Sequence, residues 1–340
     1  MTLSLDQYKI DSTKDDKTIN EQIACMLKAL RPKWNCNSLK FKRYTNGITN
    51  AVICVESPDD LEKLVVRIYG TGTENIIDRK TEMKYFEVLS NYEIAPAVHA
   101  YFKNGFVCGF LPGEPLNVTQ VRNPKIVQRI GEKLAKMHRI PVKETPETSF
   151  LLSKAQQFLD NISKQFTDSR KQEKYEKLFH DVDFVSSLNR LKEYISNVKI
   201  DTQVLCHNDL LVYNLLYDED EDEVHIIDYE YTAVNYQLFD IANHFCEYAG
   251  VEEVNYDLCP NDEEKMRFLE TYFTCYFNRK PTKKELEDAL IEIPKFEAAS
   301  HLFWTLWALA QANASSIDFD YISYAGKRFE QFSRIIEEIS

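Results

Sequence analysis

Three polar residues in the middle of the chain have the types and spacing that phosphoryl transfer requires. Asp209 and Asn214 lie five residues apart, and Asp228 follows the apolar segment 224–227. In this reaction an aspartate accepts the proton of the attacking hydroxyl, while an asparagine and a second aspartate give oxygen ligands to Mg²⁺. Positioning and charge neutralisation matter more than covalent chemistry. The candidate catalytic residues are His207, Asn208 and Asp209, and the candidate metal ligands are Asn214 and Asp228.

A basic residue and an acidic residue earlier in the chain are candidates for holding nucleotide phosphates. Arg67 lies in a predicted strand and Glu82 in the helix that follows, the order in which phosphotransferases keep such a pair. A surface salt bridge is the alternative interpretation of this pair. The turn 45–50, with one glycine, would cover the phosphates. The candidate nucleotide-binding residues are Asn46, Gly47, Ile48, Thr49, Asn50, Arg67, Glu82, Phe110 and Leu111.

Aromatic and acidic residues later in the chain are candidates for binding a cationic acceptor. Trp304 and Trp307 are one helical turn apart, a spacing that core packing also explains. Aromatic faces combined with carboxylates are what an ammonium group requires. Glu247 would add a charge-assisted hydrogen bond. The candidate substrate-binding residues are Asp209, Tyr231, Glu247, Trp304, Trp307 and Tyr324.

Composition and missing motifs narrow the function classes. The net charge of −13 argues against a nucleic-acid partner and against binding to anionic lipid. The first 20 residues have no apolar signal segment, no run is long enough for a membrane span, and the eight cysteines form no CxxC pair. We therefore predict a cytoplasmic protein with reduced thiols. The P-loop, the glycine-rich dinucleotide loop and the G-x-S-x-G nucleophile elbow are all missing.

The predicted elements place these residues in two regions of different composition. A flexible tail is expected over 1–20, and a helix that Pro32 stops follows it. Short strands at 41–44, 51–55, 64–69, 98–102 and 106–111 and a helix at 79–90 are then predicted. After a hinge at 111–115 the chain is mainly helical, apart from a hairpin over 215–228. The acidic run 218–223 inside this hairpin is interpreted as a solvated turn.

The expected fold is α+β, a two-lobed protein-kinase-like fold. Its small β-rich N-terminal lobe would span 21–116 and bind the nucleotide, and its large, mainly helical C-terminal lobe would span 117–340 and hold the catalytic and acceptor sites.

Several longer motifs resemble the choline/ethanolamine kinase family. They are H-N-D-L-L-x-x-N, I-I-D-Y-E-Y, N-Y-x-x-F-D-I-A-N-H-F-C-E-Y-A-G-V, T-N-G-I-T-N, V-V-R-I-Y-G, H-L-F-W-T-L-W-A and Y-I-S-Y-A-x-x-R-F. The resemblance covers about residue 40 to the end. It implies phosphorylation of a small amino alcohol with ATP and Mg²⁺, the first step of the CDP-ethanolamine route to phosphatidylethanolamine when the acceptor is ethanolamine. A homodimer is a further expectation.

The resemblance also assigns roles within the site. It implies Asp209 as catalytic base, Asn214 and Asp228 as metal ligands, Arg67 as the phosphate contact, and the aromatic and acidic candidates as the ammonium pocket. Residues expected to support the site are Glu230, Asp240, Asn243 and His244. Ala242 stands where many members have glycine.

Two features favour ethanolamine over choline as the acceptor. The turn reads G-I-T-N where choline kinases more often carry G-G-M-S-N, and Leu211 stands where they often have glutamine. An ethanolamine ammonium has three N–H donors and choline has none, so a selective site should present acceptors. A choline or dual-specificity kinase, an aminoglycoside kinase and an inactive kinase-fold binding protein are the alternatives.

Overall fold

The computed structural model describes residues 2–44, 50–58, 60–70, 78–143, 146–315 and 319–340. It divides the chain into two compact units, which we call unit 1 and unit 2. Unit 1 contains Met1–Gly113 together with His225–Glu230, and unit 2 contains Glu114–Val224 together with Tyr231–Ser340. The division after Gly113 lies three residues before the predicted one. Sequence reasoning did not foresee that a short later segment, which carries Asp228, belongs to the first unit.

Unit 1 is a six-stranded sheet with two helices. The strands run in the order β1-β5-β6-β4-β3-β2, with β1 parallel to β5 and the other neighbours antiparallel. In strand β4 the side chains of Leu64, Val66 and Ile68 belong to the core, and Arg67, also buried, lies between them on the other face of the strand. The elements are β1 Leu3–Leu5, α1 Asp16–Leu30, β2 Lys40–Tyr44, β3 Asn50–Glu56, β4 Lys63–Tyr69, α2 Arg79–Asn91, β5 Val98–Phe102 and β6 Gly105–Gly109.

Residues 2–20 are not a tail in the structure, which corrects the sequence-based expectation. Strand β1 pairs with β5, so Leu3 lies opposite Ala100. Leu5 and Ile10 are almost fully buried, and Asp15 caps the start of α1 by accepting a hydrogen bond from the Thr18 backbone N–H. A three-residue strand is too short to show a periodic pattern, and its partner lies far along the chain.

Unit 2 is built around the long helix α9, which packs against α4, α7 and α10. The remaining strands of the chain form two small sheets, in the orders β10-β9-β7 and β11-β8. The elements are β7 Glu114–Pro115, α3 Pro124–His138, α4 Phe150–Asp160, α5 Ser169–Phe179, α6 Phe184–Ser196, β8 Gln203–Cys206, β9 Leu215–Asp218, β10 Glu223–Ile226, β11 Ala233–Tyr236, α7 Gln237–Glu247, α8 Asp262–Phe277, α9 Lys283–Ala314 and α10 Tyr321–Glu338.

Two local predictions in this part of the chain need correction. The second half of the predicted hinge is a strand, because Glu114 and Pro115 pair with β9. The acidic run is only partly a solvated turn. Asp222 forms ion pairs with Lys125 and Arg129, whose hydrogen bonds lower the pKa of the Asp222 carboxyl, and Glu223 pairs with Lys133. Sequence alone could not show that α3 supplies these cations.

Two further findings concern the described residues as a whole. All eight cysteines lie among them, and none forms a disulfide. None of the described helices combines the length and apolar character needed to span a membrane.

Candidate active site

The candidate catalytic loop follows strand β8 and is held by a buried aspartate on α7. The two carboxylate oxygens of Asp240 accept the backbone N–H groups of His207 and Asn208, each at 2.6 Å. His138 donates from Nε2 to the same carboxylate at 3.0 Å, and its Nδ1 accepts from the Tyr272 hydroxyl at 2.6 Å. Burial alone would raise the pKa of Asp240, but its bond to His138 and the charges around it lower the value. The carboxylate therefore stays ionised and holds the loop.

Asn208 supports the loop instead of contributing chemistry of its own. Its φ of 69° is left-handed, a conformation that asparagine tolerates better than most residues. Its amide donates to the Tyr231 carbonyl at 2.9 Å and accepts from Asn235 at 2.7 Å. Asn208 and His207 are fully buried. The hydrogen bonds of Asn208 fit a positioning role better than the catalytic role that the sequence predicts for it.

Asp209 and Asn214 are linked within this loop. The Asn214 side-chain Nδ2 donates to the Asp209 backbone carbonyl at 2.9 Å, and the Leu211 N–H donates to the same carbonyl at 2.8 Å. The amide orientation of Asn214 leaves its Oδ1 as the atom suited to a metal ion. A hard oxygen of this kind is what Mg²⁺ prefers. This hydrogen bond also explains the five-residue spacing, because the Asn214 side chain closes the turn that carries Asp209.

The predicted basic residue of unit 1 lies among three carboxylates. Arg67 Nη2 contacts Asp228 directly and lies 3.7 Å from Glu82 and 3.9 Å from Glu230. Burial would lower the pKa of Arg67, but the charges of Asp228, Glu82 and Glu230 raise it above its ordinary value. Arg67 is thus a permanent cation, and the structure places Glu82 beside it as the sequence predicted. Asp228 itself has a left-handed φ of 68°, a conformation that is found more often at functional sites.

A second arginine shares the Glu82 carboxylate, and sequence reasoning missed it. Arg79 Nη1 contacts Glu82 Oε2 at 2.7 Å, nearer than Arg67, and its guanidinium lies 4.4 Å from the centre of the Tyr69 ring. Glu230 is the third carboxylate near Arg67, and its Oε2 also accepts a hydrogen bond from the Asn50 side chain at 3.2 Å. The supporting role expected for Glu230 is consistent with this position.

Of the remaining nucleotide-binding candidates, the structure describes only Phe110 and Leu111. Phe110 and Leu111 are half-buried, and Lys63 Nζ lies 5.3 Å from the centre of the Phe110 ring. Asn46, Gly47, Ile48 and Thr49 lie outside the described residues.

The structure brings the predicted acceptor aromatics together in unit 2. The Trp304 ring meets Tyr231 at 5.6 Å and Trp307 at 5.4 Å, both edge to face, and Trp307 meets Tyr324 at 6.5 Å. The Trp307 indole N–H donates to the Tyr231 hydroxyl at 2.9 Å. We call Tyr231, Trp304, Trp307 and Tyr324 the aromatic cluster. Core packing had been the alternative for the two tryptophans, and Trp304 is indeed almost buried while Trp307 is partly exposed.

Two polar residues of α7 have different supporting roles. His244 donates from Nδ1 to the Leu210 carbonyl at 3.3 Å and so contacts the catalytic loop as expected. Asn243 does not contact that loop through any hydrogen bond of the described residues. Its Oδ1 accepts from the Trp304 indole and from Ser300, each at 2.8 Å. Asn243 therefore orients the aromatic cluster, which corrects its predicted role.

Glu247 is present as predicted, but its partner was not foreseen. The carboxylate is almost completely buried, and its Oε1 accepts from Arg328 Nη2. The arginine in the motif Y-I-S-Y-A-x-x-R-F was the available signal, and sequence reasoning gave it no role.

A buried group of possible metal ligands is explained by hydrogen bonding. His138, Cys206 and Asp240 have ligand atoms within 4.8 Å of one another. The Cys206 thiol donates to backbone carbonyls, and burial raises its pKa well above the ordinary value, so the thiol stays protonated. Both nitrogens of His138 are also engaged, so hydrogen bonds to β11, α7 and α8 account for this group.

The buried His244 predicts a loss of stability in acid. Burial lowers its pKa to about 4, from an ordinary value of 6.5. The unfolded chain therefore takes up a proton in this window that the folded chain does not. The free energy of unfolding should fall as the pH decreases from 6.5 towards 4, by about 3 kcal/mol in total from this residue.

Urea unfolding at a series of pH values measures this effect. In His244→Gln the amide can still donate to the Leu210 carbonyl but cannot titrate. We expect its stability to fall less steeply with acid than that of the wild type, with His301 and the carboxylates contributing equally to both. An identical slope for the two proteins would show that His244 is not the titrating group.

Comparison with known proteins identifies the family. Residues 41–333 match the family described as choline/ethanolamine kinase. This chain belongs to the choline/ethanolamine kinase family. Membership makes it a phosphotransferase, with ATP as the donor that a kinase family implies, and the α+β protein-kinase-like fold class is confirmed by solved relatives.

Individual members of the choline/ethanolamine kinase family are similar along most of their length. Ethanolamine kinase 1 of Mus musculus is 36% identical over 98% of this chain and 94% of its own. Ethanolamine kinase 2 of Homo sapiens is 35% identical over 93% of this chain and 81% of its own. The solved structure of an ethanolamine kinase of Plasmodium vivax superposes with a TM-score of 0.84 at 27% identity, covering 100% of both chains.

Proposed function

We propose that this family member phosphorylates ethanolamine with ATP to give phosphoethanolamine, the first step of the CDP-ethanolamine route. The observation that carries the proposal is a buried carboxylate, Glu247, linked through Arg328 and Tyr324 to the aromatic cluster. Aromatic faces and a carboxylate suit a small ammonium head group. The names of the similar curated proteins support ethanolamine as its acceptor.

The catalytic roles follow from the chemistry of the named side chains. Asp209 accepts the proton of the acceptor hydroxyl, because a carboxylate is a suitable base and the loop that carries it is held in place by Asp240. Asn214 and Asp228 are the proposed ligands of Mg²⁺, since the donor set consists of an amide oxygen and a carboxylate. The metal neutralises charge on the phosphates when it is bound. Arg67 supplies a permanent cation for the same phosphates.

Parallel kinetics with ethanolamine and choline test the acceptor. We expect phosphoethanolamine to form in the presence of ATP and Mg²⁺, with a clearly higher kcat/KM for ethanolamine than for choline. Equal or better use of choline would replace the proposal with a choline or dual-specificity kinase. Absence of turnover on both, with ATP still bound, would indicate an inactive kinase-fold binding protein.

A further inference from the structure

Arg328 is a large buried residue of unit 2, which the proposed function uses only as the link between Glu247 and Tyr324. It lies on α10 and is 2% exposed. Each arm of its guanidinium donates to a different group: Nε to the Tyr324 hydroxyl at 3.0 Å, Nη1 to His301 Nδ1 at 3.4 Å, and Nη2 to Glu247 Oε1. Because burial, followed by the charge of Arg328, keeps the pKa of His301 well below its ordinary value, this imidazole is neutral and can accept. The guanidinium is thus fixed from three sides.

Fixing Arg328 also fixes Glu247. One carboxylate oxygen is occupied by the guanidinium, and the other, Oε2, is buried with no hydrogen-bond partner in the part of the chain that the structure describes. A buried acceptor without a donor is unfavourable, and a donor from a bound molecule would relieve this cost. Tyr324 joins the ion pair to the aromatic cluster, so this oxygen belongs to the region assigned to the acceptor's ammonium group.

The ion pair changes which ammonium groups this region favours. The positive charge of Arg328 offsets the negative charge of Glu247, so the pair attracts a cation less than a lone carboxylate would. Two attractions remain, namely the aromatic faces, which act on any ammonium group, and a hydrogen bond to Oε2, which requires an N–H. A fully methylated ammonium would leave Oε2 unpaired.

We propose that Arg328 is a specificity-determining residue, which sets Glu247 to accept ammonium groups that carry at least one N–H. This inference rests on the proposed function. One hydrogen bond to a charged group corresponds to about a ten- to hundredfold difference in kcat/KM. Because Glu247 Oε2 needs only one donor, kcat/KM should decrease only when the last N–H of the ammonium group is replaced by a methyl group.

A series of acceptors with increasing methylation tests the proposal on the wild-type enzyme. The acceptors are ethanolamine, N-methylethanolamine, N,N-dimethylethanolamine and choline. We expect small changes in kcat/KM over the first three and a drop of about tenfold or more at choline. An even decrease with each methyl group would point to a size limit and would overturn the proposal. No turnover of any acceptor would overturn the proposed function and this inference together.

Two variants examine Arg328 itself. In Glu247→Met/Arg328→Met both charges are removed, which a buried pair tolerates better than the loss of one partner. We expect kcat/KM for ethanolamine to fall about tenfold, with the values for choline and the KM for ATP little changed. In Arg328→Gln the negative charge of Glu247 is no longer offset by the guanidinium, so Glu247 should attract any ammonium group and the preference for ethanolamine over choline should shrink. Thermal unfolding will show whether this variant is folded.

The control is an exposed arginine on the same helix. Arg334 pairs with Glu338 at 2.7 Å, and both side chains are more than half exposed. Arg334→Met should leave the whole acceptor series unchanged. If the double variant lowers kcat/KM for ethanolamine and choline equally, Arg328 and Glu247 act only in stability and the proposal is wrong.

Discussion

Replacing Asp209 with alanine should lower kcat by at least about 10²-fold, the low end for losing a general base. The two preceding side chains are engaged within the loop, since His207 Nδ1 accepts the Asp209 backbone N–H at 3.3 Å and Asn208 is bound to the Tyr231 carbonyl and to Asn235. The Asp209 carbonyl, which accepts from Asn214, is part of the backbone and stays in the variant. The loop should therefore keep its conformation while the chemistry slows.

Steady-state kinetics with ethanolamine and calorimetric titration with ATP measure the two parts of this prediction. We expect the affinity for ATP to stay close to that of the wild type. Asp201→Ala is a matched control, because Asp201 is exposed and lies shortly before β8. A near-normal kcat in Asp209→Ala would mean that another group accepts the proton.

The largest effect on stability is expected at Asp240. Asp240→Ala removes the acceptor of the His207 and Asn208 backbone N–H groups and of His138, all of them buried. Removing one partner of a buried charged network typically costs about 3–5 kcal/mol. Asn is not a conservative replacement, because its NH₂ group would face a backbone donor where a carboxylate oxygen now accepts.

Urea unfolding provides the measurement, with Asp288→Ala as control. Asp288 pairs with Lys284 at 2.6 Å on the surface of α9, and its loss should change stability by less than about 0.5 kcal/mol. Adding His138→Phe to Asp240→Ala should not restore stability, since two backbone N–H groups still lack an acceptor. Restored stability in this double variant would locate the cost in the His138 side chain instead of the loop.

The elements around the site were largely predictable, since each has a local pattern. The short run of β-branched and aromatic residues at 64–69 predicts a strand, and β4 is formed as expected. Strand β1 was missed, because three residues carry no period and the pairing with β5 joins distant parts of the chain.

The roles of individual site residues were harder to predict than their presence. Asn208 and Asn243 belong to the right motifs, yet the structure shows one bound to backbone in the loop and the other orienting Trp304. The same amide suits either role. Its hydrogen-bond partners decide between them, and these lie elsewhere in the chain.

The sequence by itself determined the catalytic loop with Asp209 and Asn214, because the chemistry there takes place within one short segment whose spacing the reaction requires. Only the tertiary structure decided which residues stabilise the buried charges. Asp240 and His138 are 102 residues apart, and Glu247 and Arg328 are 81 residues apart. Such a pair leaves no local pattern, because any arginine or histidine in the chain is an equal candidate until folding brings one of them to the carboxylate.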